Sequence, residues 1–192
     1  MTNNKVFSEY EMKEISMKFI GEETASRAGC LGSLEETLDS KTITKKCEGV
    51  EKIVAVKGTG KGELKISIHI PYEIYLKMYG MKLDSLIKGV NGYGQSSIHG
   101  KFSITGKVYD EDGICKLKAY PNCIIKDGIS RKIENGSEEV EEIDLTVGVN
   151  PDEEGFGMYE ALVDDLDTTK KDEFITNWMT KFTTDLVHIS VA

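Results

Sequence analysis

Alternation of polar and apolar side chains is the feature of this sequence that most restricts its fold. From residue 97 to 109 the apolar or small residues fall on even positions and the mainly polar residues on odd positions. A period of two places the two sets on opposite faces of an extended strand. The run is roughly twice the usual strand length. It therefore predicts a long strand with one face toward a core and the other toward water.

The alternation continues beyond residue 109 and recurs elsewhere. Residues 110–113 form a turn signal, and alternation then resumes as far as Tyr120, so 97–120 predicts a β-hairpin. Pro121 cannot donate a ladder hydrogen bond, and it predicts that regular pairing ends there or lies at a sheet edge. The other alternating runs are 15–19, 63–70 and 143–149.

Helical signals are fewer and shorter. Pro71 and Gly80 bracket a helix predicted at 71–79, with proline in the first turn and glycine after the end. A second short helix is predicted at 157–165. The strongest pattern, at 170–184, carries an apolar stripe and predicts a helix that covers the core.

Two further expectations concern this last helix. Trp178 is interpreted as a buried packing anchor, and Thr169 with Asp172 predicts a capping box. Many strands with few helices predict a mainly β fold of the α+β type, an antiparallel β-sandwich or partial barrel flanked by a C-terminal helix. The length of 192 residues indicates that 1–192 is a single domain.

Residues 39–62 separate two of the predicted elements. They contain short β-like runs, followed by a glycine-rich stretch at 58–62. We interpret 39–62 as a long protruding hairpin or loop, partly strand, with a bend at the glycines. Because segments rich in glycine and lysine lose much entropy on ordering, we expect this one to be ordered only by a partner.

Composition and charge exclude several classes of function. The formal net charge is −9 and no basic stripe occurs, so binding of nucleic acid through its phosphates is not expected. No signal sequence or long apolar run is present, so no membrane partner is predicted. The four cysteines are not spaced for a zinc or redox site and predict reduced, mostly buried thiols.

Motifs for catalysis and cofactor binding are also missing. The glycines at 58–62 do not match a phosphate-binding loop, and those at 89–95 do not match a dinucleotide fingerprint. His69 and His99 could meet across a sheet as a metal pair, although solvated or interface histidines are favoured. No nucleophile signature occurs. The sequence therefore predicts a protein that is not an enzyme and has no cofactor, catalytic residue or metal site.

Three stretches carry a resemblance to a known family. These are the hairpin at 106–113, the sequence Tyr-Pro-Asn-Cys at 120–123 followed by Gly-Ile-Ser at 128–130, and the acidic entry to the last long strand at 138–144. Together they resemble the tail tube, or major tail, proteins of bacteriophages of Gram-positive hosts. The resemblance covers roughly residues 97–182.

The resemblance implies a β-sandwich flanked by a helix, six copies of which form a ring. Rings stack into a hollow tube, a long loop of each subunit reaches the next ring, and genomic DNA passes through the lumen without specific binding. By position, 39–62 is the expected inter-ring loop. Its candidate contact residues are Lys45, Lys46, Lys57, Gly58, Gly60 and Lys61. The expected partners are further copies of the chain and the tape measure, terminator and distal tail proteins of a virion assembled in the bacterial cytoplasm.

The acidic strand entry suggests which residues face the lumen. Glu138, Glu142 and Asp144 would repel DNA phosphates and let DNA slide. An ordinary solvated outer face explains these residues about as well.

Several functions remain open at this point. A long non-contractile tail is preferred, and the inner tube of a contractile tail or tailocin is the alternative. Another virion component, such as a tail completion or hub protein, would form rings without tubes. A small hydrolase or ligand-binding β-sandwich would be a monomer or dimer with a deep pocket.

Overall fold

A computed structural model of the protein describes residues 6–82, 84–136, 138–167 and 169–188. Short 3₁₀ turns lie at Val163–Asp165 and Thr184–Leu186. The main elements are β1 (Glu11–Phe19), β2 (Ser26–Arg27), β3 (Cys30–Cys47), β4 (Val50–His69), α1 (Tyr72–Met78), β5 (Lys101–Tyr109), β6 (Cys115–Ile125), β7 (Ile143–Asn150), β8 (Tyr159–Leu162) and α2 (Lys171–Lys181). No helix in these ranges is both long enough and apolar enough to span a bilayer.

All strands belong to one antiparallel sheet. Its order is β2-β1-β5-β6-β7-β4-β3, and β8 pairs with β6 beside this path. The sheet curls around a single main core to which β1, β4, β5, β6, β7 and α1 all contribute buried side chains. The predicted mainly β partial barrel with a C-terminal helix is confirmed.

Strands β4 and β7 follow the alternation predicted for them. Their inward residues are almost completely buried because each strand has one face on the core and the other toward solvent. The inward residues are Leu64, Ile66 and Ile68 in β4, and Leu145, Val147 and Val149 in β7.

The first strand of the β5–β6 hairpin is shorter than predicted. It begins at Lys101, and Ile98, expected in the core, is 83% exposed. The reason is that the segment before β5 bonds to α1: the Gly100 amide donates to the Met78 carbonyl at 3.0 Å. A Cβ on Gly100 would lie 2.7 Å from the Lys77 carbonyl oxygen, so glycine is required for this contact.

Strand β6 does not end at Pro121, contrary to the sequence prediction. It continues to Ile125, and Pro121 lies where its neighbour on one side changes from β8 to β7. The pairing with β5 also shifts register here, between Phe102 and Ile104. A proline is tolerated in this inner strand because the bulge and the change of partner leave a gap in the ladder.

Helix α2 packs on the outer face of the sheet, as predicted. Trp178 is buried, and its Nε1 donates to the Lys118 carbonyl at 3.3 Å. It packs with Leu117 and Ala119 of β6 in a second, smaller core. Ser103 and Thr105 of β5, which alternation had placed in solvent, are also buried, and α2 packs against β5.

Two predictions near the C-terminus are wrong. The helix expected at 157–165 is strand β8 followed by a 3₁₀ turn, because residues 159–162 pair with 116–119 of β6. The capping box is absent: Lys170 occupies the N-cap without a side-chain bond, and Thr169 Oγ1 donates instead to Asp167 at 3.1 Å. By contrast, α1 lies within the predicted range, with Gly80 at φ 59° after its end.

Candidate assembly surfaces

The most conspicuous surface feature is the outer part of the β3–β4 hairpin. The two strands pair from Cys30 opposite His69 to Cys47 opposite Val50, but β4 pairs with β7 only as far out as Gly62. Beyond Gly62 the hairpin therefore extends past the rest of the sheet, and we call residues 39–62 the arm. At about 3.3 Å per residue, the shorter of its two strands, residues 39–47, is about 30 Å long.

The arm turns at a different place from the one predicted. Glu48 and Gly49 have φ values of 53° and 78° and connect the paired residues Cys47 and Val50. Two successive residues with positive φ make the tight turn that suits a two-residue hairpin loop. The glycine-rich stretch 58–62, expected to be the bend, lies within β4.

The glycine-rich stretch instead positions the root of the arm. Gly60 has φ +70°, and a Cβ there would lie 2.4 Å from the Gly155 carbonyl oxygen. A Cβ on Gly157 would in turn lie 2.1 Å from the Gly60 carbonyl oxygen. Backbone therefore packs directly on backbone at this point, which fixes the arm against the loop that follows β7.

The two faces of the arm differ in chemistry. Residues directly opposite each other in an antiparallel pair lie on the same face. Lys41 opposite Lys57 and Lys45 opposite Lys52 lie on one face, with Ile43 opposite Ala55 between them, and we call it the lysine face. The other face carries threonines opposite apolar residues, and Ile53 there is 71% exposed. Exposed valines at 54 and 56 add to the apolar surface of the arm.

The arm also differs in charge from the rest of the protein. It holds six lysines and three carboxylates, a formal charge of +3. Because the whole chain carries −9, the residues outside the arm carry −12. Like charges directly opposite each other destabilise an isolated strand pair. An anionic surface that covers the lysine face would relieve this repulsion.

A buried group of charges ties the root of the arm to the opposite side of the barrel. Lys118 of β6 is only 4% exposed, and its Nζ lies 2.6 Å from Glu36 of β3. It also lies 3.2 Å from Glu9 and 3.4 Å from Glu160. The Tyr120 hydroxyl donates to the same Glu36 carboxylate at 2.5 Å. We call these five residues the root cluster.

The root cluster shifts the pKa of several of its members. Burial alone would lower the pKa of Lys118, but bonds to Glu36 and Glu9 outweigh it, so the pKa is raised. Burial would raise the pKa of Glu9, yet its bonds to Lys116 and Lys118 lower it. Burial, reinforced by the bond to Glu36, raises the pKa of Tyr120. The lysine and Glu9 are therefore charged at neutral pH.

The root cluster was not predicted from the sequence. Lys118 occupies a polar position in an alternating run and was expected in solvent. Its main partner, Glu36, belongs to a strand at the far end of the sheet order, and only the curl of the sheet brings the two together.

The predicted lumen acids lie near one groove. Glu142 and Asp144 line a groove of about 1230 Å³ formed by the end of β4, the start of β7 and residues 130–132 and 139–141; we call it the β4–β7 groove. Asp144 accepts a hydrogen bond from Ser67, and Glu142 Oε1 is 3.9 Å from His69 Nε2. Glu138 is exposed in the loop before β7 but does not line the groove.

The strand face beside the groove has mixed charge. Lys65 is 3.7 Å from Glu35, and Lys126 is 2.6 Å from Glu63. Acids and bases on this face are thus paired, which differs from a uniformly acidic wall. The lumen assignment of the three acids stays a prediction.

The histidines and cysteines show no common site. His99 Nδ1 is 2.9 Å from the Ile125 carbonyl oxygen, whereas His69 lies beside Glu142. Within the described ranges, no three His, Cys, Asp or Glu side chains are grouped as metal ligands. Burial was expected for most thiols, but Cys30 and Cys47 are exposed; Cys123 is buried, which raises its pKa.

Comparison with known proteins identifies no family and a distant structural similarity. No family model matches the chain, and no curated protein matches it. Among solved structures, the chain is similar to the anti-feeding prophage cap, a tube-terminating cap, with a TM-score of 0.42 and 11% sequence identity. The similarity covers 84% of this chain and 98% of that one. A likeness this distant carries no argument about function.

Proposed function

We propose that this protein is a structural subunit of a phage tail tube, in which hexameric rings stack into a hollow tube that conducts DNA. The observation that carries the proposal is the arm. It projects about 30 Å from the barrel and exposes Ile53, Val54 and Val56 to solvent. Exposed apolar side chains on a long two-stranded hairpin are typical of a surface that another chain covers.

The sheet edges support assembly into rings. β3 ends the strand order on one side, and β1 pairs with β2 only at Ser16 and Met17 on the other. Strand edges of this kind can pair with those of neighbouring copies, and a closed ring leaves no edge unpaired. The resemblance of residues 97–182 to tail tube proteins points the same way.

The remaining parts of the proposal follow from the same resemblance. A long non-contractile tail is preferred, and the arm would serve equally well in the inner tube of a contractile tail or tailocin. The subunit would have no catalytic role, and its neighbours would be the tape measure, terminator and distal tail proteins. DNA would pass through without specific binding, because an acidic protein offers phosphates no favourable surface.

The proposal is tested by comparing the wild-type chain with a variant that has a short arm. In this variant an Asn-Gly turn replaces residues 42–56, so that the paired residues Lys41 and Lys57 flank a two-residue loop. We expect light scattering to detect large assemblies of the wild-type chain at increasing concentration. The short-arm variant should keep the wild-type near-ultraviolet circular dichroism spectrum, because residues 42–56 contain no aromatic side chain, but stop at single rings or smaller species. Equal assembly of both proteins would contradict the assigned role of the arm.

A further inference from the structure

The arm and the β4–β7 groove lie at opposite ends of the same strand. β4 begins at Val50, beside the tip of the arm, and ends at His69, which lines the groove. The strand is 20 residues long, which is about 65 Å in extended conformation. Two different surfaces at opposite ends of a subunit can join copies head to tail without closing, and that geometry builds an open stack.

The chemistry of the groove complements that of the arm. Its basic residues are already engaged within the chain: Lys132 bonds to Glu134 and Glu141, and Arg131 lies over the Tyr75 ring at 3.8 Å. The carboxylates of Glu142 and Asp144 line the same groove. Two exposed side chains, Tyr72 and Val140, add an apolar surface on its rim.

We propose that the lysine face of the arm of one copy docks in the β4–β7 groove of a second copy. This inference rests on the proposed function and names the surface that receives the arm. A second copy is favoured over nucleic acid because everything outside the arm carries a formal −12, which repels phosphate. Glu142 and Asp144 then belong to the contact between rings, and not to the lumen as the sequence suggested.

The proposed contact is electrostatic and exposed, so its strength must depend on salt. A single exposed ion pair contributes little to the free energy of binding, so several lysines must act together. Raising NaCl from about 0.05 M to about 0.5 M should weaken stacking markedly, because the screening length falls severalfold.

Charge reversal at both surfaces tests the proposal. The arm variant carries Lys41→Glu, Lys45→Glu, Lys52→Glu and Lys57→Glu, and the groove variant carries Glu142→Lys and Asp144→Lys. Each should raise the critical concentration for tube formation by about tenfold or more. A chain with both sets of changes should regain tubes, because the complementary charges are restored with their signs exchanged.

A matched control changes the same charge elsewhere. Glu111→Lys with Asp112→Lys, in the exposed turn between β5 and β6, alters the net charge as the groove variant does and should leave tube formation unchanged. If the wild-type chain forms tubes and the two reversed variants form them equally well, the groove assignment is wrong while the proposed function stands. Failure of the wild-type chain to assemble would contradict both the proposed function and the groove assignment. If the wild-type arm binds duplex DNA or anionic vesicles in preference to self-assembly, the proposed docking of the arm in the groove is also wrong.

Discussion

Lys118→Met should destabilise the subunit strongly, although lysine is ordinarily a surface residue. The Lys118 side chain is 5% exposed and contacts Glu36, Glu9 and Glu160. Its loss leaves the Glu36 carboxylate, itself 19% exposed, with the Tyr120 hydroxyl as a remaining donor. A buried charge that loses its partner keeps its desolvation cost without the compensating attraction.

The size of the effect follows from what Glu36 retains. Removal of one partner from a buried pair typically costs about 3–5 kcal/mol. Because Glu36 keeps the Tyr120 bond and some exposure, we expect the lower end, about 3 kcal/mol. Lys118→Met combined with Glu36→Gln should recover most of this loss, since the glutamine is neutral and its carbonyl oxygen still accepts from Tyr120.

Equilibrium unfolding in urea measures these differences. Low protein concentration and high salt keep assembly from adding to the apparent stability. Lys126→Met is the matched control: Lys126 also contacts a glutamate at 2.6 Å, but its side chain is half exposed, so no measurable loss is expected. A loss below about 1 kcal/mol for Lys118→Met, or a double variant as unstable as the sum of both changes, would refute the reasoning.

The remaining predictions concern the root of the arm and acid stability. Gly60→Ala should destabilise the subunit in a thermal melt, because a Cβ would meet the Gly155 carbonyl, whereas Gly58→Ala faces open space and should be neutral; equal melting temperatures would contradict this packing. The pKa of Glu9 is lowered from 4.5, so its stabilisation is complete above that pH and is lost as the pH falls through the folded-state pKa. Glu9→Gln should therefore reduce the slope of stability against pH below about 4.5, and an unchanged slope in acid unfolding would argue against the ion pairs.

Alternation in the sequence predicted strands whose two faces differ in environment. This prediction is correct for β4 and β7, where Ile66 and Val147 face the core and their neighbours face solvent. The prediction is wrong for β5, where Ser103 and Thr105 are buried and α2 packs against the strand. A period of two distinguishes polar from apolar faces, but it cannot indicate that a helix from the far end of the chain will cover the polar one.

For the arm, too, the local sequence predicts some features, and others depend on contacts between residues distant in sequence. Its position at 39–62 could be inferred because the segment lies between patterned runs. The turn could not be placed, since Gly49 and the glycines at 58–62 are all able to adopt positive φ and only the pairing of the strands selects one. The contact of Gly60 with Gly155 depends on a loop distant in sequence, so no local pattern encodes it.

Negative-stain electron microscopy of the purified chain tests the central claim most directly. We expect rings with sixfold symmetry and hollow tubes built from them, at low salt and rising concentration, formed by the chain alone or after addition of a tail-initiating complex. A monomer that persists at high concentration, even after addition of such a complex, would contradict it.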